Sequence, residues 1–285
     1  EFTNVFSESV PALFVKGSGW DLRTIKAAGF PPVDLDYLRR LGALADLSDT
    51  DMMRQLRLAL LDPAGPTPSV EAILHALIPC KYVDHTHADA VVTLSNTPNG
   101  TELLQDLFGD EVLILPYTMP GFVLARQVAD ATLNVDWECL KGIVLLHHGI
   151  FTFHEEAEQS YSNMINLVSM AEKRLATRSA SLRPISHRGV LGQEELALAK
   201  LRKAASLLFG AAVLVQWDKS DTAREFAALE NADELIQRGP LTPDHSIHTK
   251  PFGAVFRGNL SSDLAQFAEL YRAYFDSHCL SEHQI

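Results

Sequence analysis

Val83-Asp84-His85-Thr86-His87-Ala88 is the stretch whose reading decides the fold and the chemistry of this chain. In an extended strand, residues i and i+2 point to the same face. His85 and His87 therefore present two imidazoles side by side, at a spacing that suits one metal ion. The competing reading is a pair of half-buried strand histidines satisfied by hydrogen bonds. A second source of imidazole lies further on, where Gly142–Leu146 ends in His147-His148-Gly149. Adjacent strand residues face opposite ways, so one of the two reaches the same point. Three protein ligands with an open position make the composition of a catalytic zinc site.

Working outward, Pro68–Leu77 opens a helix just before the histidine strand, with Ser69 as its N-cap. A helix N-terminus is a natural anion site. Glu71 falls in the first turn, where it either compensates the helix dipole or serves chemistry. His75, four residues on, shares its face and reads as a core or supporting histidine. Earlier, the short strand Ala12–Val15 runs into Lys16-Gly17-Ser18-Gly19, a glycine-rich turn able to expose N–H groups to an anion, or simply a tight turn.

The remaining elements follow from periodicity. Leu35–Leu61 is helical and interrupted at Leu47-Ser48-Asp49, where Ser48 or Asp49 caps the second half. Thr101–Phe108 and Gly121–Ala131 are helices, Val112–Leu115 is a buried strand, and Pro116–Gly121 is an irregular loop. Glu155–Leu175 is an amphipathic helix, with Glu155 and Glu156 in its first turn. Ser179–Pro184 reads as a linker. Beyond it come a helix over Gln193–Leu208, a strand over Ala211–Val215, a loop over Arg238–Lys250 holding Asp244, His245 and His248, and a helix over Asp263–Phe275.

A length of 285 residues allows one large domain or two small ones. A formal charge of -12 argues against a general nucleic-acid binder and an anionic membrane surface. It leaves room for a phosphorylated small molecule held by local N–H groups. Three scattered cysteines without a C-x-x-C suit a reducing cytoplasm. No apolar run reaches the length of a membrane span, and there is no signal peptide. Neither G-x-G-x-x-G nor a P-loop pattern occurs, which argues against a dinucleotide or P-loop nucleotide site. The chain begins Glu1-Phe2-Thr3-Asn4, without Met, so an N-terminal piece is expected to be missing.

Taken together, Lys16-Gly17-Ser18-Gly19, Pro68-Ser69-Val70-Glu71, His85-Thr86-His87, Pro116-Tyr117 and His148-Gly149 resemble the class II aldolase/adducin family, in the family's order. They cover roughly residues 12–175. Lys16–Leu22 and Lys81–Ala90 are most similar to the aldolase part of bifunctional rhamnulose-1-phosphate aldolase/alcohol dehydrogenases. The resemblance implies a three-layer α/β/α domain with a mainly antiparallel central sheet over residues 1–180, and a helical C-terminal extension, 181–285, packed on the same domain. It implies Zn²⁺ or another divalent metal on His85, His87 and His148, with Glu71 as catalytic carboxylate. Ser18, Gly19 and Ser69 become phosphate contacts.

The implied activity is cleavage of a ketose 1-phosphate to dihydroxyacetone phosphate and an aldehyde through a metal-stabilised enediolate. Epimerases, dehydratases and decarboxylases of sugar phosphates share the site, and a non-catalytic adducin-like protein is the alternative of another class. A cytoplasmic homo-oligomer, commonly a tetramer in the family, is implied, with no nucleic-acid or membrane partner. The family's Gly-Asn-x-Ser phosphate motif and the dehydrogenase half have no counterpart here. A second proton acceptor is also needed for the cleaved hydroxyl. Tyr117, Asp244, His245 and His248 have suitable chemistry, and His245 has the intrinsic pKa best placed near neutrality. The Asp244–Lys250 loop is therefore expected at the mouth of a metal site, its own or a neighbouring subunit's.

Overall fold

A computed structural model describes residues 1–177, 194–256 and 259–279. The chain divides into two compact units, Glu1–Arg178 and Ser179–Ile285. Among the described residues, no helix is long and apolar enough to cross a membrane.

The first unit opens with two small hairpins, β1 (Phe2–Thr3) on β2 (Ser9–Val10) and β3 (Ala12–Phe14) on β4 (Pro32–Asp34). Asp34 caps α1 (Leu35–Gly42) by accepting the Tyr37 N–H at 2.9 Å. At the predicted interruption Ser48, not Asp49, caps α2 (Asp49–Leu58), accepting the Asp51 N–H at 3.1 Å. The helix α3 (Ala72–Leu77) is shorter than Pro68–Leu77, and Ser69 is not its N-cap. Ser69 instead forms a local turn, its Oγ 3.3 Å from the Glu71 N–H it accepts and its carbonyl accepting Ala72 N–H. Such side-chain-to-backbone turns compete with helix extension.

β5 (Tyr82–Thr86) carries His85, while His87 lies just past its end. Then follow α4 (Asp89–Ser95), α5 (Gly100–Phe108), β6 (Val112–Leu115), α6 (Phe122–Ala131), β7 (Gly142–Leu145), β8 (Gly149–His154) and α7 (Ala157–Ala176). Four of these strands form one sheet in the order β5-β8-β7-β6. β8 is antiparallel to both β5 and β7, and only β6–β7 is parallel, so the sheet is mainly antiparallel as expected. Glu155 and Glu156 precede α7, and Glu155 accepts the Lys81 N–H at 3.2 Å.

Alternation along the strands sorts the two faces. Ile143, Leu145, Phe151 and Phe153 join α1, α2, α3 and α6 in one cluster. Val144 and Ile150 point the other way, with α4, α5 and α7. Helices on both faces of the sheet give the expected three layers. A one-residue slip of β8 would exchange its two faces.

The second unit is helical: α8 (Glu194–Phe209), α9 (Asp221–Ala227), α10 (Ala232–Ile236), α11 (Pro243–His248) and α12 (Leu260–His278). Residues 211–215 form no strand, and among the described residues none pairs with them to complete a ladder. The stretch read as a loop over Arg238–Lys250 contains α11, with Pro243 in its first turn and Thr242 as N-cap. Proline just inside a helix start is a helix signal rather than a breaker. The predicted linker Ser179–Pro184 lies outside the described residues.

Candidate metal centre

Glu71, His85, His87 and His148 converge, each offering one donor atom, and these atoms lie within 4.8 Å of one another. Glu71 sits at the start of α3, His85 on β5, His87 just beyond it, and His148 in the turn between β7 and β8. Glu71 Oε2 is 3.3 Å from His85 Nε2 and Oε1 is 3.2 Å from His148 Nε2. The Nε2 atoms of His85 and His87 face each other at 3.1 Å.

Hydrogen bonding fixes the His85 tautomer. Its Nδ1 is 3.0 Å from the Ile150 carbonyl oxygen, which can only accept. Nδ1 therefore carries a proton, and Nε2 is the ring atom turned toward the centre. Phe151, the register partner of His85, stacks on it at 3.9 Å between centroids and 13° between planes. His75 closes the stack edge-on, 5.3 Å from Phe151 and 6.5 Å from His85. Burial, with the positive field of His85, pushes the His75 ring down to about 4, so it is neutral near pH 7.

Glycine is needed at Gly149 because a Cβ there would lie 2.5 Å from the Thr86 carbonyl oxygen, 3.0 Å from His87 and 3.1 Å from His85. Burial alone would raise the Glu71 carboxyl. The charge of His85 and the contacts of both imidazoles outweigh it and hold the group well below the usual range. Glu71 Oε1 meets His148 Nε2 as an ion-pair contact without a well-formed hydrogen bond, and His148 Nδ1 is buried with no hydrogen-bond partner. A buried carboxylate oxygen so weakly satisfied is costly, and three imidazole nitrogens crowded around one carboxylate suit a positive centre between them. A divalent cation answers both, so the donor set fits one. Imidazole-rich sites suit zinc, copper, iron or nickel.

His148 rather than His147 enters the cluster, and the cause is a turn, not strand alternation. His147 has φ +59° and is exposed, while His148 is 2% exposed. The anion-contact candidates are also brought together. Gly17 bridges Pro68, Ser18 N–H donates to Thr67 O at 2.8 Å and Ser69 N–H to Lys16 O at 3.0 Å. These bonds occupy the two serine amides, so it is the hydroxyls of Ser18 and Ser69 that can meet an anion, beside Gly19 (φ +79°).

Tyr117 is outside the four-donor cluster, exposed in the loop after β6, its ring 6.2 Å from that of His147. His245 belongs to α11 in the second unit, its Nδ1 2.7 Å from Thr242 Oγ1. Sequence reading missed Phe151, the Ile150 carbonyl and β8 itself. The signal was the short apolar run Gly149–Phe153, which marks a strand buried on both faces.

Comparison with known proteins agrees with this geometry. The family model for the Class II Aldolase and Adducin N-terminal domain matches residues 5–175, and that for the Aldolase class II second domain matches 192–285. A solved N-terminal class II aldolase domain of a conserved Thermoplasma acidophilum protein is 34% identical, with a TM-score of 0.57, over 61% of this chain and 79% of that one. "Uncharacterized oxidoreductase YuxG" of Bacillus subtilis (strain 168) is 29% identical over 93% of this chain. The chain spans 41% of the length of that relative. With its N-terminal unit matched almost throughout and its metal-compatible cluster in place, the chain belongs to the class II aldolase/adducin family.

Proposed function

We propose that the chain is the aldolase part of a sugar-phosphate lyase, cleaving a ketose 1-phosphate of the rhamnulose-1-phosphate kind to dihydroxyacetone phosphate and an aldehyde. The observation that carries this reading is the meeting of one carboxylate and three imidazoles at the edge of a rigid sheet. His85, His87 and His148 would hold the divalent ion, zinc in our reading, through ring nitrogens that leave its charge undiminished. Once bound, the ion supplies Lewis acidity to the substrate carbonyl and adjacent hydroxyl and offsets the charge that bond scission leaves behind.

The chain's own groups do the rest. Cleavage removes one proton from the hydroxyl beyond the broken bond and adds one to the carbon left on the three-carbon product. Glu71, held well below the usual carboxylate range and so ionised at neutral pH, would take up that proton and pass it to the carbon. The hydroxyls of Ser18 and Ser69, with Gly19, orient the phosphate. His245 and Tyr117 are the proposed relays that carry this proton from the hydroxyl beyond the broken bond. We take the working protein to be a cytoplasmic homo-oligomer.

The test is a screen of ketose 1-phosphates with metal-loaded protein. Release of dihydroxyacetone phosphate, abolished by a chelator and restored by Zn²⁺, supports the reading. Turnover that instead gives an epimer, a dehydrated sugar or CO₂ overturns it in favour of another reaction of the family.

A further inference from the structure

The centre has a support that the chemistry above does not use. α4 begins two residues after His87 and ends at Ser95. Its inner side is anchored, because Ala90, Val91 and Leu94 pack into the core with α7. At its far end Ser95 and Asn96 grip the turn that carries His148. The Ser95 hydroxyl is itself buried, donates to the Val92 carbonyl at 3.0 Å and accepts the His147 N–H at 3.0 Å. His147 Nδ1 lies 2.6 Å from Asn96 Oδ1. One short helix thus connects the backbone of one ligand, His87, to the turn of another, His148, whose ring centroids are 5.0 Å apart.

The turn is also strained. His147 is one of two non-glycine residues with positive φ among the described residues, at +59°. Glycine or asparagine takes that conformation more cheaply. A histidine held there by two hydrogen bonds from one helix end indicates that the side chain has a task. The ring faces Asn96 and is outside the donor cluster, so the task is not ligation.

We infer that α4 is a strut that fixes the spacing of His87 and His148, with the Asn96–His147 hydrogen bond as its clasp, making Asn96 and His147 positioning residues for the metal centre. The inference rests on the metal-binding reading above. Opening the clasp leaves all four donors in the chain but lets the His148 turn drift. Polar partners that orient metal ligands typically change affinity by about 10–100-fold when removed.

The experiment measures Zn²⁺ affinity of the full chain by chelator competition, and the visible absorption of the Co²⁺-substituted protein. Wild type is compared with Asn96→Ala, His147→Gly, the double variant and Asn96→Asp. The expected result is one ion per chain throughout, with affinity about 10–100-fold weaker in either single variant. The double variant should be no weaker than the worse single, since both remove the same bond. Asn96→Asp, which keeps the accepting oxygen, should stay near wild type, and the Co²⁺ band should move in the clasp variants alone. His147→Gly removes strain, so it should fold with an undiminished thermal midpoint while binding metal more weakly. Wild-type affinity in both single variants would overturn the clasp while leaving the metal centre intact. Failure of wild type to bind any ion would overturn the metal centre and the inference with it.

Discussion

The two units bury their apolar side chains very differently. In the first, Leu38, Leu56, Phe122, Phe151 and Phe153 on one face of the sheet, and Val144 and Ile150 on the other, are essentially removed from solvent. In the second, the buried apolar residues among those described are Ala232 and Ala268, while Leu196, Leu207, Phe209, Leu214 and Leu270 are exposed. Its helices α9 to α12 line an open cavity of about 660 Å³ with Phe226, Ile236, Phe252 and Phe267 on its wall. The four-donor cluster sits on the densely packed unit, where a side chain such as Phe151 holds a ligand ring in place. A site that must hold its donors to a few tenths of an ångström needs such backing. Loosely packed segments open at low cost and suit motion or exchange of partners.

The contrast can be broken first at the chemistry. Glu71→Gln should fold and retain metal, yet lose about 10²–10⁴-fold in turnover. His245→Gln, in the second unit, should lose less. Equal losses in steady-state kinetics would place the second unit on the same footing in catalysis, and a near wild-type rate for Glu71→Gln would return Glu71 to a role in dipole compensation.

Packing comes next. Phe151→Ala should cost about 3–5 kcal/mol in urea unfolding, the range for a buried phenylalanine, and should loosen the His85 ring as well. Phe252→Ala, on the open cavity, should cost clearly less. Comparable values would show that the second unit is packed as tightly as the first.

The longer helices of the first unit and the strands β3, β5, β6 and β7 were legible because alternation and 3.6-residue periodicity record which face each residue buries, whereas the short β1, β2, β4 and α4 were not read. Val112–Leu115 and Gly142–Leu145 stood out as apolar runs between turns. β8 did not, since five buried residues in a row show no alternation and the eye passes from His148 to the long helix α7. The donor set could be read from His85, His87 and the His147-His148 pair. What chose between the last two was a left-handed turn held by Ser95 and Asn96, a long-range contact with no local pattern. Ser69 misled for a related reason: its hydroxyl serves a turn one step before α3, and a capping residue looks the same in either place. In the second unit α11 was hidden by its prolines.

A smaller effect concerns pH. His75 is neutral when folded and titrates near 4, against 6.5 when exposed. Between those values the unfolded chain binds more protons, so stability rises with pH. The contribution is full above 6.5 and is lost as pH falls toward 4, by about 3 kcal/mol. Urea unfolding in the presence of a chelator should show this slope in wild type and a flatter one in His75→Gln. Identical slopes would mean that the ring is not held neutral by its burial.

The smallest expected change is at the anion contacts. Ser69→Ala and Ser18→Ala should raise KM for a phosphorylated ketose with little change in kcat, by about 1.5–3 kcal/mol of lost hydrogen bonding to a charged group. An unphosphorylated ketose should be indifferent to either change.

The most direct test of a metal-dependent lyase on the first unit is the metal content and retro-aldol activity of wild type, His148→Ala and His147→Ala measured side by side. The expected result is one divalent ion and chelator-sensitive release of dihydroxyacetone phosphate in wild type. Neither should survive in His148→Ala, and the ion should remain, more weakly held, in His147→Ala. Full metal occupancy in His148→Ala, or cleavage that continues undiminished after the metal is stripped, would contradict it.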